Sequence, residues 1–375
     1  MRYKKLNETA TEVSAIGQGC MGIGGYLSRD AANDTRFVRS LKLGIDLGMT
    51  FLDTAEGYGN GHSEELVGQA VQGMRDKVCI ATKVSPENLS YNAVINAAEG
   101  SLRRLRTDYI DLYQVHWPNP AIPFAETIQA LDRLVHDGKI RNIGLCNFSL
   151  REMKEAVGAL SVSEVVSIQV EYNLFDRAIE KNILPFCEDE RITTIAYSPL
   201  DQGRIGSSDT KAVVLASLAE KYNRTISQIT LNWLVSHPTV IVIPKAATEQ
   251  HIRENAGSAD FQLSDEDFDR IGRVFTNEYS FVPTDRIKVS TEGEGGRKVY
   301  QTLEDALENP LGFVPSPAAL AQSLKQGDVL KPVRLMPTTD PSGKYDYDLI
   351  EGRIRYWAWV IAHHGEAPIP AYIRN

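Results

Sequence analysis

Polar side chains end three successive apolar runs of the sequence, and a tyrosine follows the first of them. Asp53 ends FLD, Lys83 lies near the end of KVCIATKV, His116 ends YIDLYQVH, and Tyr58 comes shortly after Asp53. A carboxylate, an ammonium, an imidazole and a phenol directed at one point suit proton transfer to a carbonyl oxygen. Each of these residues alone is more often structural, so it is their joint placement that indicates chemistry.

The roles of the four groups follow from their acid–base properties. A free phenol has a pKa of about 10, and an ammonium within about 4 to 6 Å favours the phenolate. We therefore expect Lys83 to bring the pKa of Tyr58 toward neutrality, with Asp53 holding the lysine charged and in place. Tyr58 would then be the general acid in reduction and the general base in oxidation, while His116 would orient the substrate oxygen.

Short β-branched runs, most of them separated by segments of helical period, must position these side chains. A closed parallel barrel and a doubly wound sheet both explain such an alternation. The barrel is favoured because the carboxyl ends of its strands converge on one face, where active sites are built. We therefore predict an α/β fold, a (β/α)8 TIM barrel. The strand candidates are AIGQGC, TFLDT, KVCIATKV, YIDLYQVH, IRNIGLCN, VVSIQVEY, ITTIAYS and VIVIP, and the helix candidates include residues 63–74, 88–105, 124–137, 150–159 and 211–221.

The alternating pattern stops near residue 281. LSDEDFDRIGRVF, just before this point, opens on a helix start formed by Ser264 and Asp267. Pro, Gly and Thr become more frequent after it, although VPTDRIKVS, SPAALAQSLKQG and LKPVRLMPT still indicate strands and a helix. We predict a barrel over residues 1–280 and a small α+β domain over residues 281–375.

The glycines of IGQGCMGIGG match the G-x-G-x-x-G spacing of a dinucleotide-binding loop. Gly17, Gly19 and Gly22 supply that spacing. No helix follows at once, however, as the βαβ unit of such a loop requires. We expect these glycines to form the first barrel strand and its loop, where missing side chains let a cofactor and Tyr26 approach.

The composition excludes several classes of protein. The 375 residues carry a net charge of −9, with 42% hydrophobic and 24% charged residues, which is typical of a soluble globular protein rather than of a basic nucleic-acid or membrane-surface binder. We expect no membrane span and no signal peptide. The widely spaced Cys20, Cys79, Cys146 and Cys187 predict buried free thiols and a cytoplasmic protein.

Residues 1–280 resemble the aldo-keto reductase family. The resemblance is carried by FLDTAEGYGNGHSEELVG, ATKVSP, SLRRLRTDYIDLYQVHWP, GKIRNIGLCNF, QVEYNLFDR and AYSPL, in the family's order. It implies a (β/α)8 barrel that transfers a hydride between NAD(P)H and a carbonyl or alcohol without a metal. It also implies that Asp53, Tyr58, Lys83 and His116 are the catalytic residues.

The same resemblance implies where the cofactor binds. Asn147 and Gln169 would meet the nicotinamide carboxamide, and the ring would stack on Tyr197. The adenosine end would lie along VIPKAATEQHIRENAG. The residues assigned to the cofactor are Asn147, Gln169, Tyr197, Ser198, Leu200, Lys245, His251, Glu254 and Asn255.

Two departures from the family's pattern concern the choice of cofactor. Ala246 stands where many members have Ser, and His251 stands where many have Arg, so a titratable group replaces an always-charged bidentate phosphate contact. Lys245 can still pair with a 2′-phosphate, so NADP(H) is favoured and NAD(H) stays open. Tyr26 and Trp117 are the expected walls of the substrate pocket, and an aromatic ring packed under a loop is the alternative for each.

The second domain resembles the ParB-like and sulfiredoxin-like fold. The resemblance rests on a strand that begins Lys-Pro, a strand–Glu-Gly-x-x-Arg–helix turn and a final Ile-Pro strand, although Trp357 stands where a further arginine is common. It implies binding of a phosphate or a nucleotide such as ATP or CTP at Gly352, Arg353 and Arg355, because a helix amino end attracts anions. A structural or dimerising role, with both arginines on a solvated face, is the alternative, and the charge balance disfavours DNA binding.

The sequence thus predicts an NADP(H)-dependent oxidoreductase acting on a small carbonyl or hydroxyl compound, with a sugar derivative as one candidate. No metal is predicted, since His363 and His364 precede Gly365 at an expected helix end, where they would cap the helix. The alternative is a non-enzymatic barrel that senses a cofactor or acts as a scaffold, with a tail that binds a nucleotide, a protein or DNA. Homo-oligomer formation is left open.

Overall fold

The computed structural model describes residues 1–160, 163–201, 203, 210–275, 279–289, 298–328 and 330–373. The chain divides into two compact units, Met1–Thr276 and Asn277–Asn375. The boundary predicted between residues 280 and 281 falls inside a strand of the second unit, Ser280–Val282, in which Phe281 pairs with Pro370. Residues 279 and 280 therefore belong with the second unit rather than with the first.

The first unit is built on a parallel sheet that closes on itself. Among the described residues this sheet has eight strands, and each pairs with the next along the chain. The barrel closes where Ile16 bridges Val242 in parallel and Gly17 N donates to Val242 O at 2.8 Å. The predicted (β/α)8 barrel is confirmed. Its strands are β3 Gln18–Gly19, β4 Phe51–Asp53, β5 Cys79–Val84, β6 Ile110–Val115, β7 Ile140–Cys146, β8 Val165–Glu171, β9 Thr193–Tyr197 and β10 Val240–Val242, preceded by the hairpin of β1 Tyr3–Lys5 and β2 Glu12–Ser14.

Helices alternate with the barrel strands and pack outside them. Ser264 Oγ accepts a hydrogen bond from Asp267 N at 3.3 Å, which confirms the predicted helix start. The helix predicted over residues 63–74 ends earlier, at Ala70, and the chain then turns through Gly73 in a left-handed conformation. The helices are α1 Asp34–Asp46, α2 His62–Ala70, α3 Tyr91–Leu105, α4 Phe124–His136, α5 Leu150–Ala159, α6 Ile183–Asp189, α7 Thr210–Tyr222, α8 Ile226–Ser236, α9 Glu249–Gly257 and α10 Asp265–Val274.

The glycines of the first barrel strand serve two different purposes. A Cβ on Gly19 would lie 2.6 Å from Ile243 O, so this position must lack a side chain for the barrel to close. Gly22, with φ of 79°, lies beneath two side chains, since a Cβ there would be 2.9 Å from both Lys245 Nζ and Tyr26 Cζ. The expectation that the glycines admit Tyr26 therefore fits Gly22, whereas barrel closure accounts for Gly19.

The barrel interior is apolar below the catalytic face. Side chains alternate along β4 and β5, so Asp53 and Lys83 point inward, two residues beyond the inward-pointing Phe51 and Ala81. The hairpin β1–β2 contributes to this interior at the opposite end, because its apolar residues join the same cluster. The cluster comprises Leu6, Val13, Phe51, Cys79, Ala81, Leu112, Val166, Ile195, Ile241 and Ile243.

In the described part of the second unit, helices pack on a mixed five-stranded sheet in the order β11-β15-β13-β14-β12. The predicted order of strands and helices is confirmed, and β11 and α11 are additional. Trp357 is buried and its Nε1 donates to Tyr300 O at 3.0 Å, so this side chain belongs to the core of the second unit. The elements are β11 Ser280–Val282, β12 Ile287–Val289, α11 Leu303–Glu308, α12 Pro317–Lys325, β13 Val333–Pro337, β14 Tyr347–Glu351, α13 Arg353–His363 and β15 Ile369–Ile373.

Two further expectations concern the whole chain. All four cysteines are buried and free, as predicted. Across the described ranges, no helix combines the length and the apolar character needed to cross a bilayer.

Candidate active site

The structure brings the four predicted catalytic residues together at the carboxyl ends of adjacent strands. Asp53 ends β4, Lys83 lies near the end of β5, and His116 directly follows β6. Tyr58 lies on the loop between β4 and α2. Lys83 Nζ is 2.6 Å from Asp53 Oδ1 and 3.5 Å from Tyr58 OH, and the rings of Tyr58 and His116 meet edge to face with centroids 5.7 Å apart.

The Lys83 ammonium is completely buried but fully engaged. It donates to Asp53 Oδ1, to the Thr54 carbonyl oxygen at 2.8 Å and to Tyr58 OH. Burial by itself would lower the pKa of Lys83, but the charge and hydrogen bond of Asp53, together with Tyr58 and Cys146, outweigh this effect and raise the pKa above its ordinary value. The lysine therefore keeps its positive charge in the barrel interior.

Two glutamine amides hold the second oxygen of the Asp53 carboxylate. Gln114 Nε2 donates to Asp53 Oδ2 at 3.2 Å and Gln169 Nε2 donates to the same atom at 2.7 Å. Gln114 was not among the predicted site residues, although it lies two positions before His116 on β6 and so shares its face. Gln169 is predicted to meet the nicotinamide carboxamide, yet its amide nitrogen is committed to Asp53 here.

The expected direction of the Tyr58 pKa shift is wrong. Burial raises the pKa of Tyr58 to about 12; the Lys83 charge opposes this shift and the Asp53 charge adds to it. Because burial outweighs the effect of the lysine charge, which Asp53 partly offsets, the ammonium does not bring the pKa of the phenol toward neutrality. Tyr58 is therefore a protonated donor at neutral pH, held against a cation that can stabilise its conjugate base.

His116 is neutral in this environment. Burial lowers its pKa to about 3, and the charge of Lys83 acts in the same direction. A neutral imidazole keeps one N–H donor and carries no charge. It can hydrogen-bond a substrate oxygen, consistent with the orienting role predicted from the sequence.

The residues predicted to hold the nicotinamide line the next strand ends. Asn147 has a left-handed backbone with φ of 63°, and its Nδ2 donates to His116 O at 3.2 Å. Tyr197, which ends β9, donates from its hydroxyl to Asn147 Oδ1 at 3.0 Å. The next turn contains Ser198, whose carbonyl accepts from Asn173 Nδ2 at 3.2 Å, and the partly buried Leu200. A partly buried aromatic ring and an amide thus lie together beside the four polar residues.

The residues predicted for the adenosine end follow β10. Lys245 and His251 are exposed, Glu254 is partly buried and bonded to Gln250 Nε2 at 2.9 Å, and Asn255 is buried. Thr248, which sequence reasoning did not single out, caps α9 by accepting from the His251 backbone N at 3.3 Å. Ser and Thr are preferred at the position directly before a helix, and this preference was the signal that could have identified Thr248.

The two expected substrate-pocket residues are exposed at the same face. Tyr26 is 57% exposed and Trp117 is 39% exposed, so neither ring is packed under a loop. The carbonyl of Tyr26 accepts from Gly59 N at 2.8 Å, which ties its loop to the residue after Tyr58. Lys245 Nζ lies 5.6 Å from the centre of the Tyr26 ring.

The turn of the second unit is assembled differently from the prediction. Gly352, with φ of 94°, caps α13, but Arg355 is directed back into the protein, donating to Lys331 O at 3.1 Å and to Pro332 O at 2.8 Å. Its other end group lies 3.3 Å from Glu351 Oε1. Arg353 Nη1 donates to Ile350 O at 3.3 Å. Arg353 and Arg355 therefore neither form a solvated face nor point outward toward a phosphate.

The predicted helix end at His363 and His364 is confirmed. α13 ends at His363, His364 caps it with φ of 55°, and Gly365 N donates to Val360 O at 3.0 Å. Within the described part of the chain, no group of three or more His, Cys, Asp and Glu side chains could hold a metal ion.

A closed (β/α)8 barrel that holds a protonated phenol against a buried ammonium at its carboxyl-terminal face is the framework of an oxidoreductase acting on carbonyls. Residues 15–275 match the model of the Aldo/keto reductase family, and the chain belongs to that family. The match ends within the first unit.

Relatives and solved structures agree with this assignment. Methylglyoxal reductase YeaE of Escherichia coli is 38% identical over 275 residues, which are 72% of this chain and 95% of that protein. The glyoxal reductase of Bacillus subtilis is 36% identical over 249 residues, 66% of this chain and 86% of that protein. The crystal structure of the thermostable aldo-keto reductase Tm1743 with epalrestat has a TM-score of 0.71 and 40% identity, covering 73% of this chain and 100% of that one. An aldo/keto reductase of Klebsiella pneumoniae, in complex with NADP and acetate, has a TM-score of 0.69 and 36% identity, covering 74% and 97%.

The pKa values predict a pH profile. Tyr58 is protonated below about 12 and His116 is neutral above about 3, so both are in the form required for reduction across the neutral range. We expect kcat/KM for carbonyl reduction, at saturating cofactor, to be level from about pH 6 to about pH 9. Alcohol oxidation should instead become faster as the pH rises, because it needs the phenolate. A fall in the reduction rate with a midpoint near pH 7 would contradict these assignments.

Proposed function

We propose that the first unit reduces the carbonyl of a small molecule with NADPH, and that Tyr58 donates the proton. The observation that carries this proposal is the position of Lys83 Nζ, between Asp53 Oδ1 at 2.6 Å and Tyr58 OH at 3.5 Å. An ammonium in that position stabilises the phenolate that forms when Tyr58 gives up its proton. The reaction class is that of an oxidoreductase acting on CH–OH and C=O groups.

The reaction is balanced by one hydride and one proton. NADPH, when bound, supplies a hydride to the carbonyl carbon. Tyr58 then donates its proton to the carbonyl oxygen, Lys83 stabilises the phenolate left behind, and a solvent proton restores the phenol. Because the nascent alkoxide is a stronger base than a phenolate, the transfer is favourable even from a phenol with a pKa of about 12. His116 donates a hydrogen bond that orients the same oxygen.

The cofactor is proposed to bind along the strand ends beyond the catalytic group. Tyr197 offers an aromatic face for the nicotinamide, and Asn147 and the oxygen of Gln169 offer amide contacts. Ser198 and Leu200 would line the same path. Lys245 and His251 would meet the 2′-phosphate, with Glu254 and Asn255 nearer the adenine. The exposed position of Lys245 and His251 supports this assignment, whereas Asn255 is buried.

NADP(H) is the preferred cofactor in this proposal. The two Klebsiella pneumoniae structures, 36% and 37% identical to this chain, are complexes with NADP and NADPH. NAD(H) is the alternative, since a relative from Escherichia coli named NADH-specific methylglyoxal reductase is 31% identical over 321 residues.

For the substrate we propose a small dicarbonyl of the methylglyoxal and glyoxal type. The support comes from the names of two relatives, methylglyoxal reductase and glyoxal reductase. The exposed Tyr26 and Trp117 rings would form the walls of the pocket. A sugar derivative, the candidate taken from the sequence, stays a prediction.

For the second unit, the ParB-like or sulfiredoxin-like fold and the binding of ATP or CTP stay predictions. The mixed sheet and the Gly352 cap before α13 support the resemblance. The bonds of Arg355 to two main-chain carbonyls favour a structural role for the turn instead.

The chemistry of the four residues bears on the non-enzymatic alternative. A cofactor-sensing or scaffolding barrel would not need a phenol, an ammonium and a neutral imidazole at one point, so enzymatic activity is favoured. The four free buried thiols support the predicted cytoplasmic location. Homo-oligomer formation stays a prediction.

We expect Tyr58→Phe to lower kcat for dicarbonyl reduction by about 10² to 10⁴ without weakening NADPH binding, because the ring remains and only the donated proton is lost. NADPH oxidation at 340 nm measures the rate, and NADPH fluorescence measures the binding. Tyr91→Phe, at the exposed start of α3, is the matched control and should behave as the parent. A Tyr58→Phe enzyme as fast as the Tyr91→Phe enzyme would refute the proton-transfer role.

We expect Arg355→Ala to destabilise the second unit by about 1 to 3 kcal/mol, because carbonyls of two residues lose a charged donor. Thermal unfolding measures this effect, with the exposed Lys288→Ala as control. Calorimetry with ATP, ADP and CTP on the same variants separates the two roles of the turn. Nucleotide binding by the parent that disappears in Arg355→Ala, with no change in stability, would contradict the structural assignment and support the nucleotide prediction.

A further inference from the structure

Glu56 ties the loop that carries Tyr58 to the segment that follows Lys83. Its Oε1 accepts from Ser85 N at 2.7 Å and from Asn88 Nδ2 at 3.0 Å. Its backbone N donates to Lys83 O at 3.3 Å. The Glu56 side chain is only 12% exposed, and hydrogen bonds to a carboxylate are stronger than those between neutral groups. One residue therefore links the Tyr58 loop to the segment that directly follows β5, the strand that carries Lys83.

A guanidinium lies on the other side of the Tyr58 loop. Arg104 Nε donates to Glu64 Oε2 at 2.6 Å, and its Nη2 lies 4.0 Å from Glu56 Oε2. The Arg104 side chain covers Gly61, the residue that caps α2, since a Cβ on Gly61 would lie 2.5 Å from Arg104 Cδ. The Arg104 guanidinium thus lies between two carboxylates: Glu56, near the start of residues 54–61, and Glu64, just after their end.

Glu64 connects this cluster to the strand that carries the lysine. Its side chain is completely buried, and its Oε1 accepts from Thr82 Oγ1 at 2.6 Å, one residue before Lys83. Burial raises the pKa of Glu64, and the charge of Arg104 opposes the shift. Arg104, Glu64 and Thr82 therefore form a continuous polar link from α3 through α2 to β5.

We propose that Glu56, Arg104 and Glu64 form a positioning cluster that sets the approach of Tyr58 OH to Lys83 Nζ, with Glu56 as its principal member. The inference rests on the proposed function, in which Tyr58 is the proton donor. These three side chains bond to the backbone and to residues outside the catalytic group of four. They therefore act through the Tyr58 loop and through β5 and the segment after it, rather than on the substrate.

The composition of the Tyr58 loop explains why it needs such a cluster. Gly57, Gly59 and Gly61 alternate along it, and glycines leave a loop free to adopt many conformations. Displacement of a reacting group by about 1 Å costs about 10²-fold in rate. The hydrogen bonds of Glu56, the Arg104 side chain over Gly61 and the bond from Thr54 Oγ1 to Ser63 Oγ limit this displacement.

Glu56→Ala is the direct test. We expect kcat for dicarbonyl reduction, expressed per NADPH-binding site counted by fluorescence titration, to fall by about 10²-fold, with KM and the Kd of NADPH little changed. Glu56→Gln keeps an oxygen that can accept from Ser85 N and Asn88 Nδ2, so it should recover most of the lost rate. Asn88→Ala removes one of the two bonds and should give a smaller loss in the same direction, which provides a readout if Glu56→Ala folds poorly.

The matched control is Glu87→Ala, which removes an exposed carboxylate from the same segment. Equal kcat per binding site in Glu56→Ala and Glu87→Ala would overturn the inference, as would a Glu56→Gln enzyme as slow as Glu56→Ala. A loss in Glu56→Ala that is fully explained by fewer NADPH-binding sites would show a structural role alone and also overturn it. Tyr58→Phe, assayed beside these variants, distinguishes failure of the proposed function from failure of the positioning role. If Tyr58→Phe retains activity, the proposed function fails. If Tyr58→Phe is inactive while Glu56→Ala matches Glu87→Ala, only the positioning role fails.

Discussion

The ion pair between Asp53 and Lys83 is the constraint around which the catalytic face is arranged. Its atoms are 2.6 Å apart, with Lys83 completely buried and Asp53 2% exposed. Removing one partner from such a pair costs about 3 to 5 kcal/mol, because the other charge is left without compensation. The barrel meets this requirement by giving each partner further hydrogen bonds, from Gln114 and Gln169 to the carboxylate and from the ammonium to the Thr54 carbonyl.

Burial, together with the charges of this pair, sets the protonation states of the groups beside it. The pKa of Lys83 is raised, that of Tyr58 is raised to about 12, and that of His116 is lowered to about 3. All three groups are therefore held in a single form at neutral pH. In the proposed reaction, the acid strength that catalysis needs arises only when reduction turns the substrate oxygen into a strong base. The ammonium would then stabilise the phenolate produced at that moment rather than ionise the phenol in advance.

Local patterns in the sequence were sufficient to predict the barrel and the meeting of the four residues. The period-two alternation places Asp53 and Lys83 on the inward face, and parallel register places neighbouring strand ends side by side, with Lys83 opposite Gln114. Long-range partners were not predictable in this way. Gln169 bonds Asp53 from 116 residues away, and no local spacing encodes that contact. The direction of the Tyr58 pKa shift depends on burial, and the inward direction of Arg355 depends on tertiary packing, so both required the structure.

The central claim is that Asp53, Lys83 and Tyr58 act as one proton-transfer unit. A double-mutant cycle on kcat/KM with Asp53→Asn, Tyr58→Phe and the combined variant tests it most directly, after thermal unfolding has shown that each variant is folded. Groups that act as a unit give strongly non-additive effects. The account predicts that the combined variant is no slower than Tyr58→Phe alone. A combined loss equal to the product of the two single losses would contradict it.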